Sequence, residues 1–160
     1  MTEQAEPRRV PLRRLPEMKG VELSGSKSIL ITQERINWFA EVTEDRQWIH
    51  VDTERAKDGP FGATIAHGFL TLSLGVELYF SLLQVTGVDQ VINYGLEKVR
   101  FLSPVLVGSE LTATATIDDV APCRGGYQLT STLTFETGGE RPACVATIVF
   151  RYLGPVDEPA

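Results

Sequence analysis

Cysteine is scarce in this chain. The 160 residues hold two, Cys123 and Cys144, with no C-x-x-C spacing. That excludes a disulfide-built scaffold, and both read as reduced thiols of a cytosolic protein. Long apolar runs are missing too: no stretch of 18 or more apolar residues exists, so no membrane-spanning helix is expected. The first twenty residues carry charges and three prolines but no apolar segment of the secretory kind. An excess of positive charge is absent, with 15 Lys and Arg against 21 Asp and Glu, a net charge of −6. That argues against a nucleic-acid partner, which needs a basic face. There is no G-x-S-x-G, no Cys beside a His, no G-x-G-x-x-G and no P-loop. Covalent catalysis and nucleotide-cofactor chemistry both lose ground.

What is present suffices for one domain with its own core: 42% hydrophobic and 22% charged residues. Residues 1–19 read as a flexible arm. Its four arginines, Arg8, Arg9, Arg13 and Arg14, either fray into solvent or touch phosphate. A short β-like run ends at Ile31. Thr32 then reads as the N-cap of a helix with Ile36, Phe39 and Ala40 on its apolar side, ending near Thr43. Asp45 to Pro60 is polar and irregular, with one helical turn expected after a Thr53 cap and a turn at Asp58-Gly59-Pro60. From Gly68 the chain is apolar almost all round a helix, which predicts burial, and Gly87 is a natural C-terminal stop. Four strand patterns follow, near 90–101, 110–117, 126–135 and 141–152, separated by Gly and Pro turns. Helical material first and strands last predicts an α+β fold, an antiparallel sheet wrapped around one long buried helix.

Both histidines fall in one stretch, Phe39 to Leu74, together with Asp45. Asp45 and His50 stand five apart across a segment without regular period, so a loop can turn both side chains to one point. A carboxylate and an imidazole can hold and deprotonate a water between them. Alternatively Asp45 caps a turn and His50 is a half-buried polar residue. Gly68 opens the apolar helix, where backbone N–H groups lack partners and carry partial positive charge. Such a donor can stabilise an oxyanion, or the glycine only relieves crowding. His67 with His50 and Asp45 makes a two-histidine, one-carboxylate set, but the spacing is no metal signature, and a supporting hydrogen-bond role is the simpler reading.

The segments Glu44-Asp45-Arg-Gln-Trp-Ile-His50-Val-Asp and Phe61-Gly-Ala-Thr-Ile-Ala-His67-Gly68-Phe-Leu-Thr-Leu-Ser resemble the MaoC-like, (R)-specific enoyl-CoA hydratase family, in its nodulation-protein-N-like branch. Phe101-Leu-Ser-Pro-Val-Leu-Val-Gly108 resembles the family's strand-turn-strand segment. The resemblance covers residues 20–152 and implies a hotdog domain, placed here at 20–155 after the 1–19 arm. It implies a homodimer and a reversible, cofactor-free and metal-free addition of water to a trans-2-enoyl-CoA. Asp45 matches the catalytic aspartate, His50 the catalytic histidine, and Gly68 the glycine whose N–H holds the thioester oxygen. Gln47 and His67 would support them, and Trp48, Ile65, Ala66 and Phe69 would line the substrate site. The family often reads D-x-N-P-x-H, so Gln47 and Trp48 are departures: Gln47 keeps polar capacity, while bulky Trp48 would narrow the pocket or seal the dimer. A hotdog thioesterase and a non-catalytic thioester-binding subunit are the alternatives.

Overall fold

The computed structural model describes residues 6–155. Four helices and eight strands follow one another in it. β1 (Arg8–Pro11) leads through a 3-10 helix (Leu12–Met18) to two short strands, β2 (Glu22–Leu23) and β3 (Ile29–Leu30). α1 (Gln33–Thr43), α2 (Trp48–Val51) and α3 (Thr53–Lys57) precede the long α4 (Gly68–Leu82). β4 (Leu83–Thr86), β5 (Gln90–Phe101), β6 (Glu110–Cys123), β7 (Gly126–Glu136) and β8 (Cys144–Leu153) complete the chain.

The main sheet is antiparallel, in the order β2-β6-β7-β8-β5, with β3 also on β6. Alternation sets its faces. Leu111, Ala113, Ala115 and Ile117 of β6 are buried, as are Leu129, Ser131, Leu133 and Phe135 of β7 and Cys144, Ala146, Ile148, Phe150 and Tyr152 of β8. Threonines fill many of the intervening outward positions, such as Thr132, which meets Thr147 across the β7–β8 pair at 3.2 Å. α4 lies on the inner face with Leu70, Leu78, Tyr79 and Leu82 buried. It sits close because Gly75 has no side chain: a Cβ there would stand 2.5 Å from the Phe135 ring. A sheet wrapped around a helix is the hotdog arrangement the residues resemble.

Four local expectations change. Residues 8–18 are not a loose arm. Val10, Leu12, Leu15 and Met18 are buried, while the arginines between them point outward, so apolar spacing builds the segment into the core. Residues 1–5 of the expected arm lie outside the described residues. α4 ends at Leu82, not at Gly87. Leu83 and Val85 face in and Gln84 and Thr86 face out, a period of two that β1 captures by parallel pairing. α3 is capped by Asp52, whose carboxylate accepts from the Arg55 N–H at 3.0 Å, rather than by Thr53. Finally, α4 is not buried all round: Phe69 is 66% exposed and Phe80 38%.

Candidate active site

Asp45 comes to the site through one backbone device. Glu44 ends α1 in the left-handed conformation, φ 62°, and is the one positive-φ non-glycine residue described. That sharp reversal turns the chain back toward α4. His50 is placed by α2, a single turn whose carbonyls and side chains are tied down on both sides. Gln33 of α1 donates to the His50 carbonyl at 2.8 Å and accepts from the buried Thr64 hydroxyl at 2.5 Å. The Ile65 N–H donates to the Ile49 carbonyl at 3.0 Å. Gln33 and Thr64 escaped the sequence reading, because each looks like an ordinary helix-surface or loop residue.

His50 is 6% exposed and His67 3%. The Nδ1 of His50 lies 2.7 Å from the Ile65 carbonyl. A carbonyl only accepts, so Nδ1 carries the hydrogen and Nε2 keeps a free lone pair. Burial lowers the His50 pKa most; the Ile65 carbonyl opposes this, His67 adds to it, and the Asp45 carboxylate opposes it. The net direction is downward, which keeps the imidazole neutral and basic near neutral pH. Gln47 donates to the Asp45 carboxylate at 3.3 Å, so the departure from Asn retains a polar contact.

Gly68 is the first residue of α4, and its N–H therefore has no carbonyl one turn earlier in the helix. The Phe101 ring covers it: a Cβ on Gly68 would meet three ring atoms at 3.1 Å. Beside it opens a cleft of about 340 Å³, lined by Phe61, Ile65, Ala66, Gly68, Thr71 and Phe101 among others. Asp45 and His50 are not on this wall; they adjoin it through Ile65, whose carbonyl His50 holds. Trp48 does not narrow the cleft. Its ring packs on Gly59 and under the Arg55 guanidinium, 4.2 Å from the centroid, because α2 turns it toward α3. Phe69 does not line it either, pointing outward and meeting Phe101 edge-on at 6.1 Å.

Donor atoms of Asp45, His50 and His67 all lie within 4.8 Å of one another. The geometry fits a metal poorly. The two imidazoles are stacked, 3.8 Å apart and 25° from parallel, so their in-plane lone pairs run side by side instead of converging. His50 Nδ1 and His67 Nε2 are also committed to carbonyl oxygens. Cys144 is no nucleophile: burial pushes its thiol up to about 11, and it is free, as is Cys123.

The family model described as "MaoC like domain" matches residues 16–138. The chain belongs to the MaoC-like family. A 3-hydroxyacyl-thioester dehydratase Z of Mycobacterium tuberculosis (strain H37Rv) is 49% identical over 84% of this chain and 90% of the relative. Nodulation protein N of Rhizobium leguminosarum bv. viciae is 41% identical, covering 91% of this chain and 93% of the relative. Among solved structures, the (R)-hydratase of A. caviae involved in PHA biosynthesis superimposes with a TM-score of 0.69 at 25% identity, over 84% of this chain and 96% of that one. A MaoC-like hotdog domain is thus the frame in which Asp45, His50 and Gly68 stand. Among the described residues no helix is long and apolar enough to cross a membrane.

Proposed function

We propose that this MaoC-like protein is an (R)-specific enoyl-CoA hydratase and dehydratase, a hydro-lyase that adds water reversibly to a trans-2-enoyl-CoA to give an (R)-3-hydroxyacyl-CoA. The observation that carries the reading is the meeting of Asp45 and His50, donor atoms within 4.8 Å, beside His67, which directly precedes Gly68 at the start of α4, in a domain whose relatives are named dehydratase and hydratase. A water sits between the Asp45 carboxylate, which orients it, and the Nε2 lone pair of His50. Its oxygen bonds to C3 as His50 takes the proton. The C2=C3 electron pair moves through the carbonyl to the thioester oxygen, and the Gly68 N–H stabilises that enolate at the positive end of α4. The imidazolium then gives the proton to C2, and the enolate collapses to the thioester. Dehydration retraces the path. No step calls on a metal or a nucleotide.

Purified protein mixed with crotonyl-CoA is expected to remove the enoyl-thioester absorbance without added cofactor and without release of free thiol, and chiral analysis of the product gives the (R) alcohol. Thiol release at a comparable rate would assign a hotdog thioesterase instead; no change in either signal would assign a non-catalytic thioester-binding subunit. A panel of CoA and acyl-carrier-protein thioesters of rising length fixes carrier and chain length. Cytoplasm is the compartment that a CoA thioester and two free thiols suit.

The working unit is a homodimer. β5 pairs with β8 on one side only, leaving a twelve-residue edge. Ile92, Tyr94, Leu96, Phe101 and Leu102 along it are 39–55% exposed, an apolar edge that a monomer would not leave bare. Two copies related by a two-fold axis pair such edges antiparallel, extending both sheets and seating Phe69 and Phe80 against the partner. Light scattering is expected to give twice the chain mass, and Leu96→Asp to halve it while far-ultraviolet circular dichroism stays unchanged. A wild-type monomer at micromolar concentration contradicts this.

A further inference from the structure

His67 lies outside the chemistry just described, yet it is the more deeply buried of the two histidines, at 3% exposure. Its ring is clamped. One face stacks on His50 at 3.8 Å, and the Phe39 ring lies 5.0 Å away, tilted by 49°. Its Nε2 is 2.9 Å from the backbone carbonyl of Asp45. That carbonyl can only accept, so Nε2 carries the hydrogen and Nδ1 carries the lone pair. Nδ1 is buried with no hydrogen-bond partner in the structure. A buried polar atom left unpaired costs free energy, so the ring is not retained for full hydrogen-bond satisfaction. It makes one bond and one stack, and both go to the residues that share the water. A third link is covalent: His67 is the N-cap of α4, and the next residue is Gly68.

We propose that His67 is a positioning residue: its Nε2–H holds the backbone of Asp45 while its ring face holds the His50 imidazole, so one side chain sets the spacing of the two groups that share the water. The inference rests on the hydratase reading and goes beyond it by assigning a role to a residue that touches neither water nor substrate. Asp45 needs such a tether. It follows the strained Glu44, and among the described residues its carboxylate accepts one side-chain hydrogen bond, the long one from Gln47. The stack also acts on His50 as a base, because a charge placed on His50 is disfavoured beside a second imidazole in a buried setting. Among the described residues, Asp45 and His67 are the titratable groups that act on His50; Gln33 of α1, which is neutral, reaches only its backbone.

Two variants separate the two contacts. Gln places its amide nitrogen near the position of Nε2, so His67→Gln keeps the donor and loses the stack. His67→Phe keeps the stack and loses the donor. With crotonyl-CoA, His67→Phe is expected to lower kcat by tenfold or more with KM within threefold. His67→Gln is expected to recover most of that loss, and the acid limb of its kcat/KM profile to move to higher pH. A second readout needs no activity. The chain has two histidines, so in untagged His67→Gln the remaining imidazole resonance is that of His50. Its NMR titration is expected to move to higher pH relative to wild type. The proposal fails if His67→Phe stays within twofold of wild type, if His67→Gln is no better than His67→Phe, or if the His50 titration does not move. Wild-type protein inactive across the panel of CoA and acyl-carrier-protein thioesters would instead refute the reaction itself and with it the tether's catalytic purpose, while the titration would still decide the stack.

Discussion

Asp45→Asn and His50→Asn are each expected to lower kcat for crotonyl-CoA hydration by roughly 10²–10⁴-fold, the range for loss of a positioned acid–base group. Both substitutions are chosen to disturb the fold little. Asn at 45 has the size of Asp, keeps an oxygen for the Gln47 amide at its present 3.3 Å contact, and loses the charge that orients the water. Asn at 50 places an amide donor near Nδ1 and so preserves the bond to the Ile65 carbonyl while removing the Nε2 lone pair. The double variant is expected to be little worse than the poorer single one, because groups that act on one water fail together. Stopped-flow absorbance of the enoyl thioester gives kcat and KM, and thermal melts check that each variant is folded. Full activity in both singles removes the catalytic assignment. In the wild type, kcat/KM is expected to fall on the acid side as His50 gains a proton. Because burial lowers its folded pKa, that limb lies at lower pH than an unperturbed histidine would place it.

Gly68→Pro is the second large effect, roughly 10²–10³-fold in kcat, the cost of deleting one oxyanion donor, about 2.7–4 kcal/mol. Proline suits this position for structural reasons. It is favoured as the first residue of a helix, where its missing N–H removes no helical bond. The preceding His67 already has the extended backbone that proline demands, φ −58° and ψ 141°. The substitution therefore deletes the donor and leaves the helix. Gly68→Ala is the control. It keeps the N–H and brings the same Cβ against the Phe101 ring. A loss below tenfold in Gly68→Ala beside a hundredfold loss in Gly68→Pro assigns the effect to the N–H. Equal losses assign it to crowding against Phe101.

Much of this frame can be read from the chain alone. Thr32 caps α1 as its position suggests, accepting from the Arg35 N–H at 3.2 Å. Gly68 opens α4, and the alternation of β7 is unmistakable. These signals are local: a cap three residues from its target, a period of two. The meeting of Asp45 with His50 is not local. It depends on Glu44 taking a left-handed turn and on Gln33, seventeen residues before His50, holding the backbone of α2. Neither leaves a periodic mark. The β4 strand was hidden for a different reason. Leu83 and Val85 continue an apolar helix pattern as readily as they begin a strand, and β1, far away in the chain, decides between the two. Nothing local marks that the Trp48 ring turns to the Arg55 guanidinium, or that the Phe69 side chain lies outward with its ring edge-on to Phe101.

The buried segment at the N-terminus has a consequence for how this domain can be excised. Residues 16–138 are what the family shares most visibly, yet they are not a portable module. A cut at residue 16 falls inside the 3-10 helix, discards Leu12 and Leu15, and strips β1 from β4. A cut at 138 removes β8, which joins β7 to β5 and carries Phe150 and Tyr152 into the core. The part of the chain that is easiest to recognise is therefore smaller than the part that holds itself together.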